Sequence, residues 1–127
     1  MKPWNVEICD VTLRDGEQTP GVSFSCEEKV DIARTLDAIG VEVIEAGFPA
    51  VSENEKKCVT AIAHLGLNAR ICGFARAREP DIMDAIDCGV DMVSIFIPTS
   101  DLHIRLKFKK PREQVLDDAL AMIDFAR

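Results

Sequence analysis

Several patterns that mark common protein classes are missing from this chain. Its five cysteines, Cys9, Cys26, Cys58, Cys72 and Cys88, form no Cys-x-x-Cys pair, and its two histidines, His64 and His103, do not stand at zinc-ligand spacing from them. That argues against a disulfide scaffold or a zinc-folded module and reads as reduced thiols in a cytoplasmic protein. No apolar run reaches the roughly 18 residues that a membrane span requires, and the start Met1-Lys2-Pro3-Trp4 carries no secretory apolar stretch. Positive charge is also scarce: 15 Lys and Arg against 22 Asp and Glu give a net charge of -7, which repels phosphate backbones and anionic lipid. Neither nucleic acid nor a membrane is expected as a partner. Finally, no Gly-x-Gly-x-x-Gly follows the first apolar run, so the dinucleotide-binding reading loses its main support.

What is present is an apolar fraction of 47 % over 127 residues, enough for the core of one domain. A short apolar or β-branched run followed by a helical pattern recurs along the chain. The first predicted strand covers residues 6–13. Ser25 with Glu28 then forms a capping box, Ile32, Ala33, Leu36 and Ile39 form an apolar stripe, and Gly40 suits a left-handed helix end. The second strand covers residues 41–46 and is broken by Gly47-Phe48-Pro49. Ser52 with Glu55 repeats the capping box before Val59, Ile62 and Leu65, and Gly66 stops that helix.

Residues 69–74 make the third strand, Pro80 opens a helix through Ile82, Met83 and Ile86, and Gly89 ends it. Residues 92–97 make the fourth strand, apolar enough to be covered on both faces. A loop over residues 98–110 follows, and Pro111 opens a last helix with Val115, Leu116, Ala119, Leu120 and Ile123 on one side. Strand-helix alternation with short connections means an α/β fold with parallel strands and right-handed crossovers. Polar residues at the C-terminal ends of strands suit a TIM (β/α)8 barrel. A full barrel needs eight strands and about 250 residues, so the four units here are expected to be its first half.

The densest chemistry lies in Asp10-Val11-Thr12-Leu13-Arg14-Asp15-Gly16-Glu17-Gln18, which brings a guanidinium and a carboxylate to the end of strand one. A carboxylate there can hold a hard divalent cation, and the arginine can stabilise charge growing on a substrate oxygen. A salt-bridged loop is the plainer alternative. Arg76 ends strand three, where its fork can hold a substrate carboxylate or an acidic side chain. His103, after Thr99-Ser100-Asp101, sits on a loop at the same end of the strands, where it is either a surface residue or a proton shuttle. His64 near a helix C-terminus suits the helix dipole and a structural role. Lys107, Lys109, Lys110 and Arg112 form a basic cluster, by default a solvated face.

Leu13-Arg14-Asp15-Gly16-Glu17-Gln18, with ten residues before Lys29, resembles the N-terminal signature of the isopropylmalate, homocitrate and citramalate synthase family, which includes the related HMG-CoA lyases. Gly40-Val41-Glu42-Val43-Ile44-Glu45-Ala46-Gly47-Phe48-Pro49, Gly73-Phe74-Ala75-Arg76-Ala77 and Thr99-Ser100-Asp101-Leu102-His103 resemble later segments of the same family. The resemblance implies a TIM-barrel enzyme that condenses acetyl-CoA with a 2-oxo acid. It implies that Arg14 polarises the 2-oxo carbonyl, Asp15 binds a catalytic divalent metal (Mg, Mn or Zn), and Gln18 contacts substrate. Glu45 would line the same pocket, as a catalytic group or as a structural partner for an arginine, and Arg76, Thr99 and His103 would meet the substrate.

Members of that family complete the metal site with a His-x-His pair, and no His-x-His occurs in residues 1–127. Residues 1–127 are therefore expected to be the N-terminal half of a catalytic barrel domain, inactive alone, and a homodimer is the expected assembly. The segments at strands two and three look most like isopropylmalate synthases, with homocitrate and citramalate synthases close behind. A non-catalytic half-barrel that self-associates is the reading of a different class.

Overall fold

The computed structural model describes residues 6–127. Four strands, β1 (Cys9–Asp10), β2 (Val43–Gly47), β3 (Arg70–Arg76) and β4 (Met92–Phe96), pair in parallel in the order β1-β2-β3-β4. Helices α1 (Cys26–Ala38), α2 (Glu53–Ala63) and α3 (Glu79–Asp87) are the crossovers. Beyond β4 come a single turn, α4 (Asp101–His103), a π-helical turn Ile104–Phe108, and α5 (Arg112–Phe125). This is the expected α/β order of a barrel's successive units.

The core lies between the sheet and the helices. Leu13, Ala33, Ile44, Ala46, Val59 and Ile62 are wholly buried there, and Ile71 and Cys88 nearly so. A buried Ile or Val contributes about 1.5–3 kcal/mol relative to its exposed state, so these positions dominate the domain's stability. The central strand β2 is buried along its whole length.

Local signals explain most boundaries. The capping box of α1 closes both ways, Glu28 N–H to Ser25 Oγ at 3.2 Å and Ser25 N–H to Glu28 Oε2 at 2.7 Å. Gly40, Gly66 and Gly89 take the left-handed conformation after the helices, at φ 88°, 68° and 77°.

Several expectations are corrected. Strand one was expected over residues 6–13, yet its ladder is two residues long. The Val11 carbonyl that would continue it accepts the N–H groups of Arg14, Asp15 and Gly16 in a tight turn. Ile39 is exposed rather than part of the α1 stripe, since it already belongs to the helix cap. In α3 the buried face is Asp81, Ile82 and Ala85, with Met83 and Ile86 turned toward solvent.

The second capping box is half a box: Ser52 accepts from the Glu55 N–H at 3.1 Å, but the Glu55 carboxylate is used elsewhere. Residues 98–110, expected as a loop, hold α4 and the π-helical turn, because Ser100 caps the chain there and Lys109 ends it at φ 52°. β4, expected to be covered on both faces, leaves Met92 and Phe96 exposed among the described residues. On α5 only Val115 and Ala119 are buried, while Leu116, Leu120 and Ile123 face outward.

Candidate active site

The tight turn after β1 presents Arg14 across the C-terminal end of the sheet. Its Nε–H donates to Glu45 Oε2 at 2.6 Å, and its Nη1 donates to Asp15 Oδ1 at 3.0 Å. Glu45 stands on β2 and is 3 % exposed, so its charge is sustained by this pairing; a buried carboxylate without a partner would be costly. The guanidinium also lies 4.6 Å from the ring centroid of Phe74, which flattens it against an apolar wall. Two carboxylates and a ring thus fix the plane of Arg14, and the N–H groups they leave free are available to a ligand.

Phe74 belongs to a row of rings that sequence reasoning passed over. Phe48 meets it edge-on at 4.9 Å, Phe96 lies 5.9 Å away, and Arg76 sits over Phe48 at 5.4 Å. Each ring lies at or just beyond the C-terminal part of its strand, the one signal that could have found them.

Beside Arg14 a cleft of about 300 Å³ is lined by Arg14, Glu17, Gln18, Phe48, Ser52 and Glu55. Gln18 is exposed at its rim, on the single 3-10 turn Gly16–Gln18. Below it runs a second missed group: Lys29 Nζ lies 2.5 Å from Glu17 Oε2 and 2.6 Å from Glu55 Oε2. On the other side of Glu45 sits the Cys72 thiol, pushed up to about 12 by burial and then by the neighbouring Glu45 charge. It is held as a neutral thiol, unsuited to act as a nucleophile.

The remaining expected residues are distributed unevenly. The fork of Arg76 is closed on Asp81 of α3, Nη2 to Oδ1 at 3.0 Å, and this partner holds the guanidinium above its ordinary value. Thr99 is exposed and lines a different cavity, with Pro98, Ile104, Arg112 and Val115. His103 is exposed, and its backbone N–H completes the α4 cap on Ser100 Oγ at 3.3 Å. Neither shares a hydrogen bond or cavity with Arg14 among the described residues. His64 caps α2, its Nδ1 2.8 Å from the Thr60 carbonyl. Two of the basic cluster are paired at the surface, Lys110 with Asp118 and Arg112 with Asp101.

Asp15, 64 % exposed at its side chain, keeps one carboxylate oxygen outside its pairing with Arg14, which suits a single donor to a hard cation. Among the described residues no group of three or more His, Cys, Asp or Glu is placed to hold a metal ion. The residues present supply one ligand and do not by themselves make a metal site.

A parallel (β/α) sheet in sequential strand order, with an arginine clamped by two carboxylates beside its C-terminal ends, is the architecture of the first four units of a (β/α) barrel. Solved structures agree on the fold. An HMG-CoA lyase from Bacillus subtilis superposes with a TM-score of 0.76 at 20 % identity, over 95 % of this chain and 42 % of that one. An HMG-CoA lyase from Acinetobacter baumannii, in complex with coenzyme A and 3-methylmalate, gives 0.73 at 18 % identity, over 96 % and 41 %. The HMGL-like family model matches residues 5–127, and the chain belongs to that family.

Homocitrate synthase AksA of Methanosarcina mazei is 53 % identical over 98 % of this chain and 31 % of its own length. A 2-isopropylmalate synthase of Methanocaldococcus jannaschii is 54 % identical over 98 % and 24 %, and a putative (R)-citramalate synthase CimA of Methanothermobacter thermautotrophicus is 50 % identical over 95 % and 24 %. The chain spans about a quarter to a third of the length of these relatives.

Proposed function

We propose that this chain carries the Arg14 half of an active site that condenses acetyl-CoA with a 2-oxo acid. One observation carries the reading: a guanidinium fixed by Glu45 and Asp15, with N–H groups outside those two pairings, lines a cleft edged by Gln18. In such a reaction a base takes a proton from the acetyl methyl group, and the carbanion forms a C–C bond to the 2-oxo carbonyl carbon. The carbonyl oxygen becomes an alkoxide, and hydrolysis of the thioester then releases CoA.

Arg14 places positive charge and donors where that alkoxide grows, already oriented before the reaction begins. Gln18 at the rim offers an amide to the acid's polar oxygens, whereas Arg76 is closed on Asp81, and Thr99 and His103 stand outside the Arg14 cleft and could meet only a more distant part of a substrate. Asp15 is this chain's contribution to a divalent-metal site for Mg, Mn or Zn. A cation bound there supplies Lewis acidity and a template for the 2-oxo acid. Homocitrate, 2-isopropylmalate and citramalate synthases match about equally well, and the strand-two and strand-three segments favour 2-isopropylmalate formation as the first reaction to try.

The test is release of free CoA from acetyl-CoA by the full-length protein with Mn²⁺ and one 2-oxo acid at a time: 3-methyl-2-oxobutanoate, 2-oxoglutarate or pyruvate. Turnover with one of them, lost in Arg14→Lys, is the expected result. No release above background with any of the three would sink the proposal.

A further inference from the structure

Lys29 has the largest wholly buried side chain among the described residues, and it is a cation. Lysine is almost never fully buried unless paired. Here its ammonium bridges two carboxylates from different parts of the chain. Glu17 lies on the 3-10 turn directly after Arg14 and Asp15, and Glu55 lies in the first turn of α2. The second oxygens are also occupied. Glu17 Oε1 accepts the Phe24 N–H at 3.1 Å, and Glu55 Oε1 accepts the Phe48 N–H at 3.2 Å. One ammonium thus ties the 3-10 turn after Arg14, and through Glu17 the Phe24 backbone, to the strand-two loop whose Phe48 ring packs against Phe74, the ring under Arg14.

Two local features are shaped around this network. Glu55 stands where it would close the capping box of α2 on the Ser52 N–H, as Glu28 does on Ser25 in α1, yet its carboxylate goes to Lys29 and Phe48 instead. And β2 ends in Gly47, where a Cβ would come within 2.1 Å of Glu55 Oε1, so only glycine lets the carboxylate cross the strand end. Burial opposes the Lys29 charge, but its hydrogen bonds to Glu17 and Glu55 outweigh it and the ammonium is held above its ordinary value. Lys29 is therefore a fixed cation and not a proton shuttle.

We propose that Lys29, with Glu17 and Glu55, is a positioning device for Arg14 and Gln18, setting how the 2-oxo acid is bound while touching no substrate. This rests on the function proposed above. The device works in two ways. It holds the 3-10 turn down on α1 and α2, which fixes the direction from which the Arg14 loop enters the cleft. It also neutralises the two carboxylates lining that cleft, which would otherwise compete with Glu45 and the substrate for the guanidinium.

Three variants of the full-length protein test this. Lys29→Met alone strands two carboxylates and should lower the melting temperature sharply, as loss of one partner of a buried ion pair does. Lys29→Met with Glu17→Gln and Glu55→Gln removes every charge together. It should melt near the wild-type temperature, because well-packed neutral groups replace buried ion pairs at little cost. Its kcat/KM for the 2-oxo acid should nonetheless fall at least about tenfold, the scale of a misplaced binding group, with KM for acetyl-CoA unchanged.

Glu17→Gln alone frees the turn while keeping the Lys29–Glu55 pair, and should raise KM for the 2-oxo acid without a change in melting temperature. Hydrogen exchange of the backbone amides of residues 14–18 should rise in both Glu17 variants, a readout that needs no catalytic activity. Unchanged exchange there overturns the proposal whether or not the protein condenses anything. Increased exchange with unchanged kcat/KM for the 2-oxo acid also overturns it, and would make the network structural only. A wild-type protein that releases no CoA removes the proposed function, leaving the exchange result to decide the geometry.

Discussion

Arg14 donates its Nε–H to a carboxylate that is nearly dry and one Nη to a carboxylate that is wet, and this asymmetry separates the roles of the two partners. Glu45 cannot move without stranding a buried charge, so it sets the guanidinium plane, whereas Asp15 is exposed and, under the proposed function, would exchange its arginine contact for a cation. Lysine in place of Arg14 keeps the charge but cannot serve Glu45, Asp15 and a ligand oxygen from one rigid fork. In the full-length protein Arg14→Lys should lower kcat by about two to three orders of magnitude, the scale seen when an oxyanion donor is removed. Asp15→Asn should be partly rescued by a higher Mn²⁺ concentration, and Arg14→Lys should not. Steady-state kinetics across a metal titration, with thermal melts as a folding control, measures both. Near-normal turnover of Arg14→Lys would return the pair to a salt-bridged loop.

Among the elements, α1 and α2 begin with the same Ser-x-x-Glu pattern and end up different. In α1 the box is closed, and hydrogen bonds from the Ser25 backbone and side chain hold the Glu28 carboxyl below its ordinary 4.5. A depressed folded value means the carboxylate's contribution to stability is present above pH 4.5 and is lost as pH falls through the lower folded value. Glu28→Ala should therefore lower the melting temperature at pH 7, and the gap from wild type should narrow as pH drops below 4.5. Melts from pH 7 to pH 3 check the sign; a gap that widens on acidification would contradict the closed box. The box itself was legible, because capping is a contact three residues away. That α2's glutamate would leave its box for Lys29 was not, because the competing partner lies 26 residues off.

At the scale of the described residues as a whole, Met92 and Phe96 of β4 and Leu116, Leu120 and Ile123 of α5 are exposed. No helix among the described residues is long and apolar enough to cross a membrane. At the same scale, the donor set of residues 1–127 offers Asp15 as one carboxylate to a divalent ion. A polypeptide of residues 1–127 alone should bind Mn²⁺ weakly and release no CoA from acetyl-CoA and 3-methyl-2-oxobutanoate at enzyme-like rates, since a single carboxylate with waters cannot match a site with imidazole ligands. Titration with Mn²⁺ and a free-thiol assay measure the two. Tight binding would show that the site is complete within these residues.

By itself the sequence determined the fold class, the four parallel units in order, the helix starts at Ser25 and Ser52, and the helix ends at Gly40, Gly66 and Gly89. All of these rest on period and on contacts within about one helical turn, information that a single chain carries locally. It also marked Arg14, Asp15 and Glu45 as the residues at the strand ends. Only the tertiary structure decided that Arg14 takes Glu45 from 31 residues away, that Arg76 closes on Asp81, that three phenylalanines form one wall, and that Lys29 joins Glu17 to Glu55. A parallel ladder sets each such partner through its register, which brings the end of one strand beside the end of the next across a whole helix. Charge pairing has no period of its own, so which carboxylate a cation meets is known only once that register is set.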